Sequence, residues 1–370
     1  MADGKAPDEQ ANAPVGGESK REFLDREVRP VSLRPGMSVA DLVDGLKGMS
    51  IQARNVGRCA EVLDGVYGDP DRPTVYLGLA GPLIAAGLRN VLRELIVGGY
   101  VDVVVSTGAI LYQDIYQARG HRHYQGRPDA DDVRLRELHI DRIYDTYVDE
   151  DMFWQTDLWC GRQADELAAG NYSSRAFLDF LGSRLDDEDS IVRQCHRLGV
   201  PIFCPALNDS SLGIGLTDHY HRCRAEGRKG IAIDSIRDNY ELVQTVIRSP
   251  KTAAIYIAGG VPKNYINDSI VMAYIFNEER GHDYAIQLTT AVTHDGGLSG
   301  STLGEARSWG KIRGDARFAM AWVEPSVSLP LVAGYVFDRF PAPCRPRLRF
   351  DWDGDELRSL TAARTNEATR

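Results

Sequence analysis

Over residues 38–63 apolar side chains recur at helical spacing, with Gly45 and Gly48 weakening the middle of the run. The pattern then changes. Residues 73–80 (PTVYLGLA) form a short apolar run bounded by Pro and Gly, the mark of a strand buried on both faces. Residues 83–97 return to helical periodicity, with Leu83, Leu88, Val91, Leu92, Leu95 and Ile96 on one side, and residues 101–107 (VDVVVST) read as a second buried strand. Strand, helix and strand at this spacing predict a parallel pair joined by a crossover helix.

The alternation returns further on. Residues 201–207, 230–234, 253–260 and 283–291 read as strands, with helices at 235–248 and 264–277 between them. A last strand, 318–323, leads into a helix beginning near Ser326, whose hydroxyl is placed to cap it. Residues 120–150 are polar, rich in Asp, Arg and His, and read as an insertion or long loop beside the sheet. The prediction is one Rossmann-like, doubly wound α/β domain over residues 23–350, with a mainly parallel sheet and a helical N-terminal extension. Residues 1–22 read as a disordered arm and 351–370 as a polar C-terminal tail.

Composition narrows this further. With 43% hydrophobic and 26% charged residues the chain falls in the ordinary globular class. No stretch approaches the length of a membrane span, and the first twenty residues lack the apolar core of a signal peptide. A cytoplasmic protein is expected. The net charge of −10 argues against a nucleic-acid partner, and the RPRLRF run from Arg345 reads as a solvated terminal edge. The six cysteines form no CxxC and read as reduced thiols. His219, His221 and Cys223 come nearest to a ligand cluster, but no second group completes it, so no metal is expected. His121 and His123 read as solvated, and Trp154 and Trp159 as core or interface anchors.

Ligands of open parallel sheets collect beyond the carboxyl ends of the strands. There the sequence places Thr107-Gly108-Ala109, Asn208-Asp209-Ser210-Ser211, Ala258-Gly259-Gly260, and Thr289-Thr290-Ala291 followed by a glycine-rich stretch to Ser301. Small and polar loops of this kind bring backbone N–H groups close to a phosphate. Neither GxGxxG after the first strand nor a P-loop is present, so a nucleotide-type ligand and plain turn chemistry both remain open. Asp209 reads as a carboxylate for ribose hydroxyls or as the N-cap of the next helix.

A second feature is Glu305-Ala306-Arg307-Ser308-Trp309-Gly310-Lys311. A lysine beside tryptophan and glycine, just before a strand, reads as partly desolvated, which favours the free amine and imine chemistry. Glu305, four residues before Trp309, would share a helical face with it and shuttle protons. The alternative is a surface lysine at a helix end, where its charge suits the dipole.

Together these segments resemble the deoxyhypusine synthase family from about Tyr76 to Phe340. The strongest stretch is 290–311, ending in SWGK, with support from YLG at Tyr76, DVVVSTGA at Asp102, PALND at Pro205 and AGGVPKNYI at Ala258. The resemblance implies an NAD-dependent transferase on a Rossmann-like sheet, usually a tetramer with sites at subunit interfaces. Hydride leaves a carbon beside an amine nitrogen of spermidine, and the resulting imine passes its butylamine part to a lysine, then to an acceptor amine. Lys311 matches the imine-forming lysine, while Trp309 and Glu305 match residues lining the amine channel. Thr107, Gly108, Ala109, Asp209, Gly259, Thr290 and Ala291 match cofactor contacts, and Glu324 stands where the family has an aspartate. Residues 81–85 align with another cofactor segment but read GPLIA.

The departures fall on the amine side. Tyr112 and Gln113 stand where the family has paired glutamates, Ile214 and Leu298 where it has aspartates, and Asn264 where it has a histidine. Asp295, Gly296, Gln113 and Asn264 are the substrate-side positions that remain, with Glu305 and Asp295 the obvious acids near the lysine. A channel for a polycation needs carboxylates along it, because each desolvated ammonium needs a partner. The expected function is therefore transfer of an alkylamine, aminobutyl-type group between small amines or polyamines, with NAD as cofactor and a homotetramer as the assembly. The alternatives are a conventional deoxyhypusine synthase acting on a protein lysine, and an NAD-binding protein without catalysis.

Overall fold

The computed structural model describes residues 23–298 and 301–362, so the arm read at 1–22 and the last residues of the chain lie outside it. Along the chain the strands are β1 (Thr74–Leu79), β2 (Val103–Ser106), β3 (Tyr124–Gln125), β4 (Ile140–Ile143), β5 (Thr146–Asp149), β6 (Gly170–Tyr172), β7 (Ile202–Phe203), β8 (Ile231–Ile233), β9 (Thr252–Ile257), β10 (His282–Leu288), β11 (Ile312–Ala321), β12 (Leu348–Asp353) and β13 (Glu356–Ala362). Six of them form one parallel sheet in the order β11-β10-β9-β1-β2-β7. The chain lays β1, β2 and β7 outward in one direction. It then returns to the other side of β1 for β9, β10 and β11. That reversal puts the switch point between β1 and β9, the order of a Rossmann sheet, and a crevice opens there beyond the carboxyl ends.

Every residue of β1 and β9 is buried, as expected of parallel strands covered on both faces. Gly78 in β1 is required by this packing: a Cβ there would come 3.1 Å from Ile266 Cδ1 on the helix Gly260–Ile275. The predicted crossover helix begins later than its periodicity suggests, at Arg89, because Pro82 and the left-handed glycines Gly81 and Gly87 hold residues 81–88 in turns. The weak middle of the N-terminal helix is a full break. Val39–Lys47, capped by the Ser38 hydroxyl, ends at Gly48, and a second helix runs Ile51–Gly68.

Several expectations need correction. Residues 230–234 do form a strand, but β8 pairs with β6 outside the main sheet. Ser326 is not the cap of the helix Pro325–Arg339; Glu324 is, its carboxylate accepting from Ser326 N at 2.7 Å. The polar insertion is not a long loop: β3, β5 and β4 make a small antiparallel sheet beside the helix Asp132–Glu137. The described part of the C-terminal tail is a hairpin of β12 and β13. The basic run before it is not solvated either. Arg345 is buried and reaches Asp102 at 2.7 Å, and Arg347 donates to Ile96 O and Val97 O. These bonds pin the C-terminal segment to the amino end of the sheet. His121 and His123 pack their rings on Tyr116 with buried Nε2 atoms, and burial pushes His123 down to about 4. Trp154 is exposed, whereas Trp159 stacks under Arg119. The described cysteines are all free thiols, and no described helix is long and apolar enough to cross a membrane.

Candidate active site

Four helices leave the carboxyl ends of β1, β2, β7 and β9. Their N-cap positions are Leu88, Thr107, Ser210 and Gly259, and none carries a side-chain cap. Elsewhere Ser38, Asp131, Asp149, Ser173, Ser190, Asp234 and Glu324 cap their helices, while Ser50 before Ile51–Gly68 makes no side-chain cap. An uncapped start leaves N–H groups free at the positive end of the helix dipole, the arrangement that receives phosphate. The Ser210 hydroxyl is turned away and donates to Leu207 O at 2.6 Å. Asp209 is exposed and does not take the capping position. Gly108 is forced by closeness, since its Cβ would stand 2.2 Å from Ser210 Oγ.

At the switch point itself, Ala258 is a non-glycine residue at φ +61, flanked in space by Gly81 at +86 and Gly260 at +66. Such backbone strain, on the order of 1–3 kcal/mol, concentrates at ligand sites. Gln287 donates to Ala258 O at 2.8 Å, and its own Oε1 is buried without a partner. An orphaned acceptor below free N–H groups fits a dinucleotide with donor and phosphate functions. Gln113, expected on the substrate side, is buried and accepts from Ala85 N at 3.1 Å, so it anchors the loop after β1. Tyr112 is buried as well and donates to Phe153 O at 2.6 Å, with burial raising its phenol far above the usual range. Thr290, Asp295 and Gly296 are exposed beyond β10, Ala291 is half-buried, and Gly259 is buried below the crevice. Glu324 follows β11 and its carboxylate serves the cap.

Lys311 lies elsewhere. Its carbonyl accepts from His282 N, so it enters at the amino end of β10 and β11, while Thr290 follows the carboxyl end. At ~3.3 Å per residue those ends are roughly 20 Å apart. The Lys311 side chain is 13% exposed, its Nζ 2.9 Å from Asp268 Oδ1 and 5.4 Å from the centroid of the Trp309 ring. Trp309 is 68% exposed. Glu305 does not share a continuous α-helical face with it, because the helix Leu303–Ala306 passes into a 3-10 turn at Arg307. The Glu305 carboxylate closes a capping box, accepting from Thr302 N at 2.8 Å, and this contact lowers its pKa. It is held as an acceptor rather than left free as a shuttle.

Two residues escaped the sequence reading. Asp268 pairs with Lys311, and Asn264 Nδ2 donates to its second oxygen at 2.9 Å. Lys263 is 1% exposed and donates to Leu298 O at 2.9 Å and to Ser301 O. Burial pushes the Lys263 ammonium down to about 8; Glu305 partly opposes this and Lys311 adds to it. The lysine with a depressed pKa is thus Lys263. One signal was available: Lys263 stands in the first turn of Gly260–Ile275, where the dipole disfavours a cation.

The ring of His219 is engaged on both sides. Nδ1 lies 2.7 Å from Asp165 Oδ1 and Nε2 accepts from Ile231 N at 3.1 Å, with Cys223 beside it. It ties β8 to the helices Glu150–Asp165 and Ser211–Ala225.

The sheet order, the uncapped helix starts at its switch point and a lysine–carboxylate pair at the opposite edge define a doubly wound α/β protein with an anion-ready crevice. The chain belongs to the deoxyhypusine synthase family. The sequence model described as Deoxyhypusine synthase matches residues 41–336. A deoxyhypusine synthase-like protein of Chlorobaculum parvum is 40% identical over 340 residues, covering 90% of this chain and 95% of its own. A Methanosarcina mazei protein named "Probable deoxyhypusine synthase 2" is 40% identical over 339 residues, covering 90% and 96%. A crystal structure from Entamoeba histolytica assigned to deoxyhypusine synthase shares the fold, with TM-score 0.60 and 20% identity, over 84% of this chain and 97% of that one.

Proposed function

We propose that this protein is an NAD-dependent transferase that moves an alkylamine group between small amines through an imine on Lys311. The observation that carries the reading is the pairing of two features: four uncapped helix starts around a strained switch point, and a sequestered lysine held by a carboxylate. Thr107, Gly108, Ala109, Gly259, Thr290 and Ala291 would hold NAD, with Asp209 and Glu324 as flanking acids. When bound, NAD supplies a hydride acceptor for the carbon next to an amine nitrogen. Lys311 then exchanges into the substrate imine. A C–N bond forms to the lysine, the bond to the leaving amine breaks, and that nitrogen departs with the proton the lysine gives up. An acceptor amine then displaces Lys311 in the same way, and return of the hydride to the imine carbon makes the transfer redox-neutral.

Small amines are favoured over a protein lysine because the amine side is rebuilt. Tyr112 and Gln113 are buried and serve packing, Leu298 is buried, and Ile214 is an exposed apolar residue. A conventional protein acceptor and an NAD-binding protein without catalysis are the competing readings. Lys311 and the crevice stand far apart within one chain, which supports a homotetramer whose sites lie between subunits. Exposed Tyr274, Ile275 and Phe276 near Lys311 offer an apolar surface for such contact. A cytoplasmic enzyme without nucleic-acid or membrane partners is part of the same proposal. The test is a panel of di- and polyamines screened with NAD for NADH absorbance, followed by mass spectrometry of the amine products. NADH with a small-molecule product supports the reading. Adducts only on protein lysines favour the conventional activity, and NAD binding without NADH favours the non-catalytic reading.

A further inference from the structure

Lys311, Asp268 and Asn264 form a chain of contacts in which a nucleophile touches a carboxylate and a third group orients that carboxylate. Asp268 Oδ1 lies 2.9 Å from Lys311 Nζ, and Asp268 Oδ2 accepts from Asn264 Nδ2 at 2.9 Å. An ion pair of this kind keeps the lysine protonated, so the nucleophile is held back until the contact is released. Asp268 and Asn264 stand one turn apart on the helix Gly260–Ile275, and the Asp268 side chain remains 44% exposed, open to a ligand. Two other charged groups bear on the pair. Lys263 comes from the same helix and sits within electrostatic reach of Lys311. Glu305 comes from the helix Leu303–Ala306, but its carboxylate is engaged by Thr302. Asp268 is thus the carboxylate that pairs with Lys311, while the Lys263 amine is held by the carbonyls of Leu298 and Ser301.

We propose that Asp268 is the amine-recognition carboxylate of this site and the switch that frees Lys311. The ammonium of an alkyl diamine or polyamine docks on Asp268 and takes over the contact that Lys311 holds. Lys311 is then left beside two like charges, the docked ammonium and Lys263. Like charge at close range disfavours the charged form, so Lys311 releases a proton to solvent and becomes the neutral amine that imine formation needs. Asn264 keeps the carboxylate turned toward both cations throughout. The carboxylates missing from Tyr112, Gln113, Ile214 and Leu298 are replaced by one that belongs to the lysine's own neighbourhood. The site then admits substrate only when it can also present the nucleophile.

This inference deepens the function proposed above, and its test separates the two. Calorimetry measures 1,4-diaminobutane binding to the full-length protein with NAD present, in the wild type, Asp268→Asn and Asp315→Asn, the last removing an exposed carboxylate that pairs with Arg313. A second readout uses neither NAD nor turnover. Butanal and cyanoborohydride are added at pH 7, and the reduced adduct at Lys311 is followed by mass spectrometry; imine formation there releases water before the hydride reduces the C=N bond. Asp268→Asn is expected to weaken diamine binding at least about tenfold and to speed butanal labelling by a similar factor, since the carboxylate that holds the Lys311 proton is gone. Asn264→Ala should move both readings the same way but less, and Asp315→Asn should move neither. Diamine binding that is absent in the wild type, or equal in Asp268→Asn, overturns the inference, as does unchanged labelling. NADH formation with an unaltered Asp268→Asn affinity sinks this inference alone. Asp268-dependent binding without any NADH sinks the proposed function alone.

Discussion

Lys311 and Asp268 meet at 2.9 Å from opposite directions. The lysine enters from the amino end of β11, and the aspartate from the third turn of a helix that starts at the carboxyl edge of β9. The contact therefore lies toward the amino edge of the sheet, away from the crevice. The crevice of one chain is far from this pair, so under the proposed function a second copy would bring the two together.

Complementation follows. Copies carrying Lys311→Ala, refolded together with copies carrying Thr290→Trp, should recover part of the transfer activity that each lacks alone, because mixed assemblies restore some intact sites. Activity of mixed against separate samples is the measurement. No recovery, in mixtures shown by native mass spectrometry to exchange subunits, would place both functions in one chain.

Lys263 makes stability depend on pH with a definite sign. Its folded pKa of about 8 lies below the unfolded value near 10.5, so between these the unfolded chain binds more protons. The buried charge lowers stability fully below pH 8, and that cost of about 3 kcal/mol is relieved as pH rises to about 10.5. Denaturation at pH 7, 8, 9 and 10 should show the wild type gaining on Lys263→Met across this range. Parallel curves would mean that the amine is not depressed.

Asp102 behaves oppositely. Burial alone would raise its carboxyl, but Arg345 and Arg72 hold it below the usual range, with Val75 N donating at 2.9 Å. Its stabilisation is present above about pH 4 and is lost as pH falls through the folded value. Asp102→Asn leaves two arginines without their partner, at a cost on the order of 3 kcal/mol. Urea midpoints should differ clearly at pH 7 and converge on acidification.

Gly108→Ala should go against helix propensity. An alanine in a helix ordinarily stabilises by about 1 kcal/mol over glycine. Here its Cβ would meet Ser210 Oγ at 2.2 Å and Ser210 Cβ at 2.5 Å. The loops after β2 and β7 must part, so the variant should melt lower and bind NAD more weakly. Ser210→Gly added to it should restore part of both. Differential scanning calorimetry and NAD titration decide.

Much of the fold was legible because parallel strands buried on both faces leave unbroken apolar runs, as at 73–80 and 253–257. What periodicity could not show was partnership. Residues 230–234 look like a sheet strand, yet β8 pairs with β6, and nothing local distinguishes the two outcomes. The hairpin of β12 and β13 buries only Leu348 and Leu357 and leaves its other residues exposed or half-buried, which in a polar terminal segment looks like a tail. At the site, Lys311 was legible from its motif, but its partner was not. Asp268 lies 43 positions earlier on another element, and only the tertiary fold brings them together. Glu305 misled for a local reason: Thr302 three residues before it completes a capping box, a pattern present in the sequence.

The most direct measurement is borohydride reduction of the protein incubated with NAD and a di- or polyamine, followed by peptide mapping. The account predicts an added alkylamine mass on the peptide bearing Lys311, and its loss in Lys311→Ala while NAD still binds. An adduct that persists in Lys311→Ala, or that forms only on another lysine, would contradict it.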